Sequence, residues 1–177
     1  MPVAEGDAVD GDEMPASPGP VLRLGVPVSM SRGQEVLHPD REHWVPVATA
    51  LFDEGYLVAV DLTAVDYLTH PGRPLPDDVT PERFEVVANL LSHSRRSRVR
   101  LRVQVPADDA VLATLTAIFP GVDAAEREVF DLFGITFEGH PDMTRIVMPE
   151  DWVGHPLRKD YDSGRIPVQF KGPAPSR

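Results

Sequence analysis

From Arg98 to Val105 the chain alternates without a slip, with Val99, Leu101, Val103 and Val105 apolar and Arg98, Arg100 and Arg102 charged between them. Successive side chains of a strand point to opposite faces, so this stretch demands an antiparallel sheet with one face on a core and the other in water. Two further strands are available to pair with it. Phe84–Leu91 places Phe84, Val86, Ala88 and Leu90 on one face, and Leu57–Val65 is apolar on both faces except at Asp61 and Thr63, which reads as a central strand. A Pro-rich loop, His70 to Pro81, and a tight polar turn, His93 to Ser97, would connect them.

Helices would cover the apolar face. After a short extended piece, Val21–Val28, Asp40 can cap a helix in which Trp44, Val47, Ala48 and Leu51 share a face and Gly55 is the stop; Pro46 would fall within its second turn, which can move the start downstream. Asp108 or Asp109 would cap a second, with Leu112, Leu115 and Phe119 aligned and Pro120-Gly121 ending it. A third runs from Asp123 to Phe133, with Val129, Leu132 and Phe133 as its stripe and Gly134 after it. From Ile135 onward periodicity fades and Pro, Gly, His and charge dominate. The expected organisation is a disordered acidic leader over 1–20, a core domain over 21–138 and an extended docking arm over 139–177.

Composition narrows the chemistry. None of the 177 residues is Cys, which excludes thiolate-ligated zinc, protein-ligated iron–sulfur clusters and thiol catalysis. The net charge of −11 argues against a nucleic-acid partner. Five acids and no base fall in residues 1–20, whereas residues 145–177 carry six bases against four acids. The longest stretch without Asp, Glu, Lys or Arg, Ala110 to Val122, falls short of the roughly 20 apolar residues a membrane span needs. The first residues lack the basic and apolar blocks of a signal peptide, so a cytoplasmic chain is expected.

Three clusters invite a chemical reading. Glu126, Arg127, Glu128 and Asp131 could supply paired carboxylates, but Glu126 and Glu128 would point about 200° apart on a helix, while Arg127 and Asp131 stand at i, i+4 and can form an ion pair. His140 and His155, each within Gly-His-Pro, could join Asp142 and Asp151 in a metal site, the basis of a stand-alone metal-dependent enzyme. Their separation in irregular chain favours rigid turns instead. Arg95, Arg96, Arg98, Arg100 and Arg102 form a basic ladder without interleaved aromatics; it reads as a solvated face, or one paired with Glu85, and otherwise as a protein interface. Dinucleotide, P-loop, nucleophile-elbow and zinc-protease motifs are all missing from the sequence.

The run Glu126-Arg-Glu-Val-Phe-Asp-Leu-Phe-Gly-Ile135, followed by Gly139-His-Pro-Asp142, Arg145-Ile-Val147 and Asp151-Trp-Val-Gly-His-Pro-Leu-Arg-Lys-Asp-Tyr161, resembles the 30 kDa subunit family of respiratory complex I, the proton-pumping NADH:quinone oxidoreductase. Asp61-Leu-Thr-Ala-Val-Asp-Tyr67 and Arg83-Phe-Glu-Val-Val87 extend the likeness upstream. Thr144 stands where the family usually has a basic residue, and Ala125 where an aromatic often precedes the Glu-Arg-Glu word.

The resemblance implies an α+β, two-layer domain, with a small, mostly antiparallel sheet packed by helices and an extended C-terminal arm. It implies a scaffold without catalytic residues, binding no cofactor or metal of its own, in a complex that carries FMN and iron–sulfur clusters and passes electrons from NADH to quinone. Partners would be the quinone-cavity subunit, the terminal iron–sulfur subunit and the ferredoxin-like subunit, on the cytoplasmic side of the plasma membrane as a peripheral assembly. The same subunit type occurs in related assemblies: F420H2 dehydrogenase, ferredoxin-linked and hydrogenase-type complexes. On this reading Glu126, Arg127, Glu128, Asp131, Gly134 and His140 carry the structural motif. Trp152, Leu157 and Tyr161 would insert into partner grooves while Arg158, Lys159 and Asp160 pair with partner charges; Arg145 and His155 complete the expected interface.

Overall fold

A computed structural model describes residues 21–162. The expected leader over 1–20 and the end of the arm from 163 onward, with Arg165 and the Gly-Pro-rich stretch after Val168, lie outside the described residues. The fold is α+β. Six strands form one sheet: β1 (Leu22–Arg23), β2 (Val26–Ser31), β3 (Gln34–Leu37), β4 (Val58–Asp66), β5 (Phe84–Ser92) and β6 (Ser97–Val105), in the spatial order β1-β2-β3-β6-β5-β4. Every pairing is antiparallel except β3 with β6.

The period-two reading holds on β5 and β6. Phe84, Val86, Ala88 and Leu90 pair across to Val105, Val103, Leu101 and Val99, and all eight are buried. The same hydrophobic core takes in α1 (Trp44–Asp53) through its buried residues Trp44, Val47, Ala48 and Leu51. Pro46 does no harm there, because it stands at the third helical position, where the missing N–H has no intrahelical partner to lose. The second covering helix, α2 (Asp123–Phe133), ends on Gly134 at φ +71°, the left-handed cap its sequence announces.

Two expectations are corrected. Leu57–Val65 is not central: β4 is the sheet's edge, and Leu57, Val58 and Val60 are exposed, Val60 by 48%. The register slips between Ala59 and Asp61, so Val60 is the extra residue of a bulge, a common way to blunt an open edge. Apolar residues on both faces implied two covered faces, but here one of them opens to solvent.

The expected helix over 108–119 is instead a strand, β7 (Val111–Ala113), followed by turns and a 3₁₀ turn at Pro120–Val122. Leu112, Leu115 and Phe119 are buried as their spacing required. A distant partner overrides the helical option: β7 pairs in parallel with β8 (Thr136–Glu138), which local periodicity does not reveal. The β1–β2 and β2–β3 hairpins are also beyond local pattern. Their turns, Leu24-Gly25 and Arg32-Gly33, both run at positive φ, and Leu and Arg are unusual first residues for such turns.

Candidate docking surface

The last carbonyls of a helix lack intrahelical donors. In α2 the arm supplies them. Phe130 O accepts from Gly134 N at 2.9 Å, within the helix's own cap. Asp131 O accepts from His155 Nδ1 at 2.9 Å and Arg145 Nη1 at 3.2 Å. Leu132 O accepts from Leu157 N at 3.0 Å, and Phe133 O from Arg158 Nε at 2.5 Å. A second Arg158 nitrogen donates to Gly134 O at 3.3 Å. Two guanidinium groups thereby meet the negative end of the helix dipole.

The Asp131 side chain fixes the other half of the arm. Its carboxylate accepts from Arg145 Nη1 at 2.6 Å and from the backbone N–H groups of Ile146, Val147 and Met148 at 3.1, 2.7 and 2.8 Å. Burial works to raise its pKa, but the three amides and the guanidinium outweigh that and hold it below the usual carboxylate range. The expected Arg127–Asp131 pair is therefore corrected. Asp131 turns inward, while Arg127 donates to Thr144 O and Thr144 Oγ1 at 3.1 and 2.8 Å and lies 3.8 Å from Asp142.

A second latch closes at the sheet. Asp66, at the end of β4, accepts from Arg83 Nε and Nη2 at 3.1 and 2.8 Å, from Leu68 N at 2.9 Å, and from the backbone N–H of Lys159 at 2.8 Å. Arg83 also donates to Asp160 at 2.6 Å. Arg83 and Arg158 both lie over the ring of Phe84, at 4.9 and 5.2 Å from its centroid. Arg158 and Asp160, expected to pair with partner charges, are thus engaged inside the chain, as is Arg145. Sequence reading assigns no role to Asp66 and Arg83, although an Asp ending one strand and an Arg opening the next are the available signal.

Tyr161 packs against Gly154, where the missing Cβ leaves room for the ring: a Cβ there would sit 2.8 Å from it. With the frame fixed, four apolar side chains of the arm remain on its solvent side. Ile146, Val147 and Leu157 are exposed, and Val153 is exposed by 87%. Trp152 is half-buried, with its indole N–H unpartnered among the described residues, and the Lys159 ammonium makes no bond to them.

Glu126, fully buried, accepts from Leu115 N at 2.8 Å and Thr114 Oγ1 at 2.5 Å, holding the turn after β7, whereas Glu128 is exposed. Burial raises the Glu126 pKa against these donors, so its contribution to stability is present at acid pH and is lost as pH rises through the folded-state value. Glu126→Gln keeps an acceptor for Leu115 and removes the charge. Urea unfolding at pH 5 and pH 8 is expected to show a smaller gap in the variant, by about 1 kcal/mol or less.

His140 accepts from Asp142 N at 3.0 Å through Nδ1 and faces Asp123 O at 3.3 Å through Nε2. His155 meets Asp131 O instead, near the other end of α2, roughly 12 Å away by helical rise. The metal constellation is not assembled, and among the described residues no three His, Asp or Glu side chains come together as a metal site. On the basic ladder, Arg102 pairs with buried Glu85 at 2.7 Å and Arg100 donates to Asn89 at 2.9 Å. Among the described residues no helix is long and apolar enough to cross a membrane.

Comparison with known proteins supplies the context for this surface. A family model described as the 30 kDa subunit of respiratory-chain NADH dehydrogenase matches residues 37–166. The corresponding NADH-quinone oxidoreductase subunit of Saccharopolyspora erythraea is 38% identical over 148 residues, covering 82% of this chain and 56% of that protein. Its counterpart in Mycolicibacterium gilvum is 42% identical over 148 residues, covering 82% and 62%. The chain thus spans less than two thirds of these relatives' length. Among solved structures, the trypsin-resistant fragment of Nqo5 (residues 1–134) superposes with a TM-score of 0.59 at 37% identity, over 67% of this chain and 89% of that one. A chain of the membrane-bound sulfane sulfur reductase, an archaeal respiratory membrane complex, shares the fold at a TM-score of 0.66 and 20% identity, over 84% and 88%.

Proposed function

This chain belongs to the family of the 30 kDa subunit of respiratory-chain NADH dehydrogenase, and on that premise we propose that it is a cofactor-free scaffold of the peripheral arm of a proton-translocating NADH:quinone oxidoreductase. It contributes no catalytic residue. Its partners are the quinone-cavity subunit, the terminal iron–sulfur subunit and the ferredoxin-like subunit, on the cytoplasmic side of the membrane. FMN, the iron–sulfur clusters and the NADH and quinone sites belong to the rest of the complex.

The observation that supports this reading most directly is the exposed row Ile146, Val147, Val153 and Leu157 on an arm already fixed from within. An apolar segment with its backbone tied down loses little further entropy on docking, so its burial goes into affinity. Arginines that a flexible arm would have offered to partners here hold the frame, and the apolar row makes the contact.

Val153→Asp tests it. The side chain touches solvent, so the melting temperature of the purified chain is expected to stay within about 1–2 °C of the parent. Placing a carboxylate in the docked interface is expected to weaken association about 30-fold, or roughly 2 kcal/mol. Gentle purification of the tagged chain from native membranes should then recover few companions and little of their flavin and iron–sulfur absorbance. Full recovery in the variant would sink the proposal.

A further inference from the structure

Two grooves adjoin at the entry to α1. The first, about 350 Å³, lies between residues 25–27, the segment 38–43 and the loop over 78–82. The second, about 670 Å³, runs along β7 to Glu138. Asp40 and Arg41 line both, so the two are continuous, and no residue of the arm lines either. Their charges do not balance: Asp40, Glu42, Asp78, Glu82, Asp109 and Glu138 stand against Arg41. Arg41 already donates to the Asp109 carboxylate at 2.7 Å and to Val111 O at 3.3 Å, and His43 Nδ1 meets Asp40 at 2.8 Å. Among the described residues the carboxylates of Glu42, Asp78, Glu82 and Glu138 make no hydrogen bond or ion pair. Clustered carboxylates without counter-charges set up a negative potential that a cation relieves. A metal ion does not suit the arrangement, because no three His, Asp or Glu side chains converge as a metal site among the described residues.

The first groove also holds a buried polar group that lacks a partner. His38 is 3% exposed, and the register that sets Val36 level with Arg100 puts its ring on the sheet face of Gln104, which lines the same groove. Its Nε2 meets Ser29 Oγ at 2.8 Å, whereas Nδ1 has no partner among the described residues. Burial and the nearby Arg102 guanidinium, working against Glu85, hold the His38 pKa down at about 4, so the ring is neutral at pH 7 and does not repel a cation. With Nε2 donating to Ser29, Nδ1 keeps a free lone pair. A buried acceptor left unpaired is destabilising, and an N–H donor entering the groove removes that penalty. Unmatched carboxylates beside a buried acceptor select a cation rich in donors, an ammonium or a guanidinium. Those carboxylates are spread over both grooves, which suits several cations on one extended chain better than a single small amine.

We propose that the two grooves dock a basic, extended segment of a partner protein, with one Lys or Arg side chain entering between His38 and Glu82 and further cations lying along Glu42 and Glu138.

Because the arm takes no part, failure here leaves Val153→Asp to decide the scaffold reading separately. The probe is hexaarginine, titrated into the full chain near 0.1 M salt, where the Debye length is about 10 Å. Amide signals of His38, Arg41, Thr80, Glu82, Val111 and Glu138 are expected to shift, while those of Ile146, Val147 and Leu157 stay in place. Imidazole nitrogen spectra should report a hydrogen bond gained at Nδ1 of His38 and none at Nε2. Asp78→Asn, Glu82→Gln and Glu138→Gln together should weaken the peptide about ten-fold. Asp53→Asn, Glu128→Gln and Glu150→Gln remove the same charge at exposed positions outside the grooves and should weaken it less than about two-fold. Equal weakening by the two triple variants, an unmoved Nδ1, or displacement of the peptide by spermidine at equal concentration of charge would overturn the proposal.

Discussion

Asp131→Ala is expected to lower the stability of the full chain by about 3 kcal/mol and its melting temperature by roughly 6–12 °C. The carboxylate is fully buried and takes four donors, so its removal leaves the Arg145 guanidinium and the amides of Ile146, Val147 and Met148 facing an apolar methyl. Thermal unfolding gives the total cost. Hydrogen exchange locates it, with the amides of 146–148 and Leu157 losing protection while those of β5 and β6 keep theirs.

Acid provides an independent check of sign. The folded-state pKa of Asp131 lies below the ordinary aspartate value of 3.8, and so does that of Asp66, where burial is again outweighed by Arg83 and by the amides of Lys159 and Leu68. Their stabilisation is complete above the unfolded value and is lost as pH falls through the folded one. The arm should loosen below about pH 4, and Asp131→Asn should flatten that dependence. An Asp131→Ala variant with parental stability and parental exchange along the arm would refute the latch.

Gly134→Ala is expected to cost about 2 kcal/mol and to displace the arm. Gly134 sits at φ +71°, where any side chain is strained, and a Cβ there would come within 2.5 Å of His155 Nε2 and 2.6 Å of Arg158 Nη2. Both are groups that cap α2. Relief of the clash must move them off the carbonyls of Asp131 and Phe133, so strain and lost capping arise together. Urea titration measures the sum. Arg158→Ala, which removes the cap but not the backbone conformation, should reach only part of it. A neutral outcome for Gly134→Ala would show that the arm does not seat on the helix end.

What is legible in the sequence follows from how local the responsible force is. Arg98–Val105 and Phe84–Leu91 read correctly because burying one face of a strand imposes period two on neighbouring residues. The helix over Asp123–Phe133 reads correctly because its stripe and its terminating Gly lie within one short segment. The edge position of β4 is not legible. Leu57, Val58 and Val60 look like core residues whether or not another strand covers them. Leu112, Leu115 and Phe119 fit a helix face as well as they fit β7 and its turn, and only the pairing with Thr136–Glu138 decides between them.

The site divides the same way. Gly134, His140 and the Glu126–Asp131 run stand out in the sequence, but the roles of Glu126 and Asp131 read there as if from the outside of the helix. In a sequence a carboxylate is hydrophilic by default. Only the structure reveals backbone N–H groups, which carry no sequence identity, converging on it.

The pairing of Lys159 N with Asp66 joins residues 93 positions apart. Closing a loop of that size is entropically slow, and it requires that β4 and β5 have already formed to present Asp66 beside Arg83. The Lys159 end of the arm is therefore seated only where β4 and β5 have paired, while Ile146, Val147 and Leu157 are seated on α2. On the proposed function, a partner that reads this row would sample, in one encounter, both the pairing of β4 with β5 and the seating of the arm on α2.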